Sequence, residues 1–273
     1  MASRKGQGQM EAVYSFIPGD APVLVTLPHA GQLLPDGLAQ RMTEHGRTLP
    51  DTDWYMEKLY DFSNSLGVGI LRANYSRYVV DLNRGADDGV LYPGRPSTGL
   101  VPHLTFSGQP IYQDAQIPDE QEVAERTDLF WRPYHARIEQ ELTRIKEKWG
   151  WAVLWDGHSI ASKIPRLFEG VLPDLNFGTN MGASCAPELA RALGAQAGTL
   201  PHYTHVLDGR FKGGYTTRHY GQPGQHIHAV QLELAQTTYL ESEGEPWPLS
   251  PAKTERLKQA LAKFLRCALA FKP

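Results

Sequence analysis

Three side chains able to share a metal ion stand far apart in this 273-residue sequence: His29, Asp53 and His158. Catalytic zinc sites take three protein ligands, imidazoles or carboxylates, and keep a fourth position for water. The spacing fits no compact motif such as HExxH, so only the fold can bring the three together. His29 follows the apolar run PVLVTL in the turn Pro28-His29-Ala30-Gly31. His158 follows the apolar run WAVLW in Asp156-Gly157-His158-Ser159. Each has a plainer reading: His29 as a turn histidine satisfied by backbone, Asp53 as a first-turn helix acid favoured by the dipole. Asp51 is the more natural cap of the segment that starts there, which leaves Asp53 freer for another task. Asp51 remains the alternative carboxylate ligand.

A second group could handle anions. In SRYVVDLNR, Arg77 precedes and Arg84 follows an apolar run, with Asn83 adjacent. A guanidinium fork grips a carboxylate bidentately and an amide adds a neutral donor. An Asp81–Arg84 structural ion pair is the competing reading. Further on, GRFKGGYTTRHYGQP sets Arg210, Lys212 and Arg218 around glycines. Such a loop could clamp the far end of an anion. With neither a P-loop lysine motif nor GxGxxG, nucleotide chemistry is disfavoured. Glu233 sits in the apolar run VQLELA, where it is either a general base beside an activated water or a solvent-facing strand position. His202, His205, His219, His226 and His228 cluster in sequence, but at spacings that suit no closed zinc site. The Trp149, Trp151 and Trp155 set reads as core or rim. Cys185 and Cys267 lack an activating partner, and no GxSxG elbow is present.

These residues hang from alternating apolar runs and helix-period segments. Strands are expected at 22–27, 68–73, 78–82, 151–155 and 228–235, and helices at 51–66, 119–149, from Pro187 to about 193, and 251–271. The Gly- and Pro-rich stretch 85–118 reads as ordered surface loop. Strands separated by helices predict a single α/β domain over 1–273, its mixed, mostly parallel sheet flanked by helices. In such sheets ligands bind outside the carboxyl ends of the strands, where His29, Asn83, Asp156 and His158 fall. Lys and Arg number 27 against 30 Asp and Glu, a formal charge of −3. That balance, without a basic block, argues against nucleic acid or membrane partners. Two cysteines exclude a disulfide framework. No secretory h-region or membrane-length apolar run occurs, so a cytoplasmic enzyme is expected.

Taken in order, PHAG, DTDWY, SRYVVDLNR, DGHS, LFEGVLPDLNFGTN, GGYTTRHYGQP and VQLEL resemble the N-formylglutamate amidohydrolase family of histidine degradation, from about residue 15 to 240. The DLNR stretch is also similar to aspartoacylase and succinylglutamate desuccinylase, which share a zinc-carboxypeptidase-like fold. The resemblance implies a zinc amidohydrolase that releases formate from N-formyl-L-glutamate, with another first-row divalent ion as an alternative metal. It implies His29 and His158 as metal ligands. Relatives supply the next ligand from a Glu three residues after the first His. Here that position is Gln32, a poor zinc ligand, so Asp53 is the expected replacement. By the same resemblance Arg77 polarises the scissile carbonyl, Asn83 and Arg84 hold a substrate carboxylate, and Glu233 is the catalytic glutamate. Arg210 and the Tyr215, Thr216 and Arg218 loop are candidates for the remaining carboxylate. Competing functions are hydrolysis of another small N-acyl amino acid and a non-catalytic anion-binding α/β protein.

Overall fold

Val23, Val25 and Leu27 pack on one side of the first apolar run and Leu24 on the other, and all four are buried. A strand apolar on both faces needs a cover on each, and helices supply it here. The computed structural model describes residues 11–89, 94 and 98–273. The chain start (1–10), expected to carry no leader, and parts of the 85–118 segment (90–93 and 95–97) lie outside the described residues.

Among the described residues seven strands form one sheet: β1 (Tyr14–Ile17), β2 (Val23–Leu27), β3 (Gly69–Ala73), β4 (Ala152–Ile160), β5 (Leu175–Gly178), β6 (His205–Leu207) and β7 (Ile227–Ala235). Their order is β1-β3-β2-β4-β7-β5-β6. The inner pairs β3–β2, β2–β4 and β4–β7 are parallel, as is β5–β6; β1–β3 and β5–β7 are antiparallel. The helices are α1 (Leu38–Arg41), α2 (Glu44–Arg47), α3 (Met56–Leu59), α4 (Glu120–Arg126), α5 (Arg132–Trp149), α6 (Pro187–Gly198), α7 (Tyr215–Tyr220) and α8 (Pro251–Ala270). One face of the sheet packs Val153, Trp155 and Val230 against Leu189 and Leu193 of α6 and Leu257, Leu261 and Phe264 of α8. The other packs Leu24, Leu71 and Leu154 against Tyr134, Ile138, Leu142 and Ile145 of α5. Sheet order and layers match the expected mixed α/β class. No described helix is long and apolar enough to cross a membrane.

Two expected elements are not formed as read. The segment 51–66 is not one helix: only α3 and a 3-10 turn at Ser63–Leu66 form, closed by Gly67 at φ 70°. The Asp53 N–H donates to the His29 carbonyl, and the Asp51 carboxylate accepts from Phe106 N–H and the Tyr78 hydroxyl instead of capping a helix. Tertiary partners override helix propensity there. Likewise 78–82 is no strand, although Tyr78, Val79, Val80 and Leu82 are all buried. Both edges of β2 are already taken by β3 and β4, so this run turns on itself, with Val79 N–H bonded to Ser76 O and Asp81 N–H to Leu100 O. The 119–149 helix forms as α4 and α5, joined by a π-helical turn at Thr127–Trp131 just before Pro133. The Asp119 carboxylate caps it by accepting from Glu122 N–H at 2.9 Å.

Phe264 is the keystone of the α8 face, fully buried and in ring contact with Trp155 and Phe177. Phe264→Ala should therefore destabilise the chain by about 3–5 kcal/mol, read from urea unfolding; a loss under about 1 kcal/mol would contradict this packing.

Candidate metal centre and its cavity

The carboxyl ends of β2 and β4 carry the two histidines. His29 lies two residues past β2, in the turn expected from sequence, while β4 runs on through Asp156 and His158 to Ile160. On the next strand Glu233 is the direct register partner of His158. Leu232 and Leu234 point into the α8-side core, so alternation turns Glu233 to the opposite face. At this end of the sheet that face is a closed cleft, and Glu233 is buried rather than solvent-facing.

His29, Asp53 and His158 meet there, all buried, with one ligand atom of each within 4.8 Å of the others. The Asp53 Oδ2 atom lies 3.1 Å from His158 Nδ1 and 3.8 Å from His29 Nδ1. The outward ring nitrogens are anchored by other carboxylates: His29 Nε2 is 2.7 Å from Asp81 Oδ1, and His158 Nε2 is 3.0 Å from Asp156 Oδ2. A carboxylate can only accept, so a neutral His29 keeps its proton on Nε2 and turns the Nδ1 lone pair inward, whereas His158 Nε2 faces both the Asp156 carboxylate and the Asn83 amide nitrogen, each 3.0 Å away. This carboxylate–imidazole arrangement is how proteins orient metal-ligating histidines. Acidic groups crowd the cluster: Asp53, Asp81, Asp156 and Glu233 are all buried beside the buried guanidinium of Arg77. Buried charge is expensive without partners, and a divalent cation would be one. Two imidazoles and a carboxylate suit zinc, so the residues fit the implied metal. Asp51 stands apart, bonded to Tyr78 and Phe106, and Gln32 is exposed in a different groove.

The titration shifts follow from the same contacts. Burial and the Arg77 guanidinium hold His29 below the ordinary imidazole range. Burial also works against a charge on His158, but the Asp156 and Asp53 carboxylates outweigh it and raise that imidazole well above its usual value. For Asp81, burial opposes ionisation, yet Arg77 and His29 hold the carboxyl well below the usual range. Burial pushes Glu233 up to about 8; Asp53 and Asp156 add to the rise, and His158 and Arg77 resist it.

A cavity of about 80 Å³ adjoins the cluster, lined among others by Arg77, Asn83, Arg84, Thr98, Arg210 and Glu233. A space of that size holds several waters, the scale of a small metabolite. Arg77 donates to Asp81 Oδ2 at 2.6 Å, and its Nη1 lies 3.3 Å from His29 Nδ1. Phe106 lies beneath it, with the guanidinium 4.5 Å from the ring centre. The buried Nε atoms of Arg77 and Arg84 and the Thr98 hydroxyl find no partner among the described residues. Unpartnered donors on arginines that line a cavity beside a metal-ligand cluster suit an anion or a carbonyl oxygen.

Of the sequence-derived residues, His29, Asp53, Arg77, Asn83, Arg84, His158, Arg210 and Glu233 are brought to this cavity. The Asp81–Arg84 pair expected as an alternative is replaced by Asp81–Arg77. Arg210 is held by its Nε–H donating to Leu167 O at 2.9 Å. Tyr215, Thr216 and Arg218 are not on the cavity wall. The Tyr215 ring packs against Trp131, His135 and His219, and Arg218 donates to Gly213 O. The Tyr215 and Thr216 N–H groups donate to Asn83 O and Oδ1, so this turn holds Asn83 in place. Thr98, Phe106, Phe211 and Gln231 also line the cavity. Sequence reasoning missed these four. Only Gln231 had a legible signal, two places before Glu233 and so on the same strand face.

Comparison with known proteins gives a family and a fold. Residues 21–240 match the family model described as N-formylglutamate amidohydrolase. N-formylglutamate deformylases of Pseudomonas putida and Pseudomonas aeruginosa are each 47% identical over 262 residues, covering 96% of this chain and 97% and 98% of theirs. The crystal structure of N-formylglutamate amidohydrolase from Ralstonia eutropha JMP134 superposes with a TM-score of 0.81 at 21% identity, covering 94% of this chain and 98% of that one. A gene product from Agrobacterium tumefaciens has the same fold, with a TM-score of 0.69 at 18% identity over 94% of this chain and 96% of that one.

Glu233 gives this site a measurable pH signature. Its folded pKa, about 8, lies above the unfolded 4.5. Between those values the folded state keeps a proton that the unfolded chain has lost, so this group's contribution to stability falls as pH rises. Metal-free Glu233→Gln should therefore gain stability over the metal-free parent, by a margin that widens from pH 4.5 to 8. Unfolding midpoints across that range test it; a constant or shrinking margin contradicts it.

Proposed function

The chain belongs to the N-formylglutamate amidohydrolase family, and on that premise we propose that it hydrolyses N-formyl-L-glutamate to formate and L-glutamate, a step of histidine degradation. The observation that carries this reading is the buried His29–Asp53–His158 cluster beside a cavity lined by Arg77, Arg84, Arg210 and Glu233. We take the whole chain as one catalytic domain of the zinc-carboxypeptidase-like kind, working in the cytoplasm.

His29, Asp53 and His158 would hold zinc or another first-row divalent ion. A cation held there supplies Lewis acidity, which polarises a carbonyl and acidifies water. Glu233 is the general base. It takes the proton of the water that attacks the formyl carbon, and delivers it to the amine nitrogen as the carbon–nitrogen bond breaks. Burial keeps its proton affinity high, and a cation nearby favours the ionised form needed to accept that proton. Arg77, fixed by Asp81 and Phe106, offers its guanidinium to the oxygen that gains charge at the tetrahedral carbon. Preorganised donors of this kind usually contribute more to the rate of acyl transfer than any other single effect. Arg84, Thr98 and Arg210 bind the glutamate carboxylates and thereby place the formyl carbon. Asn83, with its oxygen taken by Thr216 N–H and its amide nitrogen 3.0 Å from His158 Nε2, positions the cluster and Arg84 beside it. A formyl group offers little apolar contact, so selectivity rests on charge pairing at the glutamate end.

Glu233→Gln should still take up one zinc yet lose at least ~10²-fold in kcat, measured by formate release; near-normal turnover removes Glu233 from the base role. Arg84→Met should lower kcat/KM for N-formylglutamate at least ~10-fold more than for an uncharged N-alkylformamide, and equal losses would refute the carboxylate clamp. Exhaustive chelation should abolish formate release and added zinc restore it. Full turnover by protein shown metal-free by elemental analysis would end the metal-assisted reading.

A further inference from the structure

Glu233 does not stand alone on β7. Gln231, two residues earlier, shares its face of the strand, lines the same cavity and is as deeply buried. Its amide oxygen Oε1 accepts the Gly214 N–H at 2.7 Å. A backbone N–H can only donate, so this bond fixes which end of the amide faces which way. The Nε2 donor is thereby turned toward Glu233 Oε2, 3.2 Å away.

The anchor is itself immobilised. The two N–H groups after Gly214 are spent on Asn83, whose amide nitrogen reaches His158. A Cβ at position 214 would stand 2.3 Å from Asn83 Nδ2, so only glycine lets this turn approach closely enough. Glu233, Gln231, Gly214, Asn83 and His158 thus form one connected chain of contacts around the cavity. Just before Gly214 in sequence comes the stretch that carries Arg210.

We propose that Gln231 is a positioning residue for Glu233: it occupies one carboxylate oxygen so that the other faces the attacking water, and Gly214 keeps its amide in the donor orientation. The inference rests on Glu233 being the general base. The choice of an amide has a chemical logic. A neutral donor steers the carboxylate while leaving its charge, and so its basicity, largely intact, whereas a lysine or arginine there would hold the proton off. The same amide ties the base to the loop that carries a substrate-binding arginine, so the two are set by one contact.

The test is a double-mutant cycle with turnover counted per bound zinc. Gln231→Met, of similar length but without donor or acceptor, should lose about 10-fold or more in kcat with KM for N-formylglutamate changed by no more than about 3-fold. Gln231→Glu keeps an oxygen for Gly214 N–H but sets a like charge against Glu233, and should fall at least as far. In a Glu233→Gln background, Gln231→Met should cost nothing further, because its effect passes through the lost carboxylate. Wild-type kcat in either single variant, a loss confined to KM, or losses that multiply with Glu233→Gln would overturn the proposal. If Glu233→Gln alone keeps full turnover, the general-base reading itself has failed. If Glu233→Gln is inactive while Gln231→Met and Gln231→Glu are normal, only the positioning role has.

Discussion

Two imidazoles can face one small cation only if something holds each ring by its far side. Here buried aspartates do so: Asp81 grips His29 and Asp156 grips His158. Each aspartate needs its own support, because a buried carboxylate is costly without partners. Asp81 has it from Arg77 and the Asn83 backbone N–H. Asp156 has it from the Thr26 hydroxyl of neighbouring β2. The centre is therefore built outward, from ring to carboxylate to strand. Its geometry is inherited from the register of β2, β4 and β7.

That inheritance explains how the sheet itself brings much of the site together. Parallel strands end together, and β4 and β7 run side by side, so His158 and Glu233 become neighbours through backbone pairing alone. His29 arrives as β2 ends, and Asp53 is delivered by a short loop bonded back to the His29 carbonyl. Asp81 is brought in by the buried turn at 78–82, whose apolar side chains pack against the sheet face opposite α8. The core and the site are one construction. Apolar burial on both faces fixes the strands, and the strands fix the charges.

How much of this was legible in sequence depended on where the signal resided. The strands at 22–27, 68–73 and 228–235, the long helix ending at Trp149 and the terminal helix all showed in apolar periodicity, and each forms close to its expected bounds. His29 and His158 were legible as polar residues just past or late within apolar runs, the places where α/β sheets keep ligands. The edge strands β1 and β6 were missed because they are short and partly exposed, so neither carries a full apolar signature. The 51–66 and 78–82 segments misled for opposite reasons. The first has helical spacing that long-range bonds to His29, Tyr78 and Phe106 override, and the second has strand composition with no free edge to pair with. Sequence favours Asp53 over Asp51 through a helix-cap argument that the bonds of Asp51 to Tyr78 and Phe106 replace. The place of Asp53 beside both imidazoles, and the use of the 214–216 N–H groups to fix Gln231 and Asn83, depend on contacts between distant residues. No local pattern encodes those.

The proposed chemistry rests on His29, Asp53 and His158 binding one divalent ion together, through inward-facing imidazole nitrogens. Anomalous diffraction at the zinc absorption edge, on crystals of the zinc-loaded protein, addresses this directly. A single strong peak is expected, bonded to Nδ1 of both histidines and to an Asp53 carboxylate oxygen, with Asp81 and Asp156 still on the opposite ring nitrogens. A peak elsewhere on the chain, or none among these three side chains at full zinc loading, would contradict it.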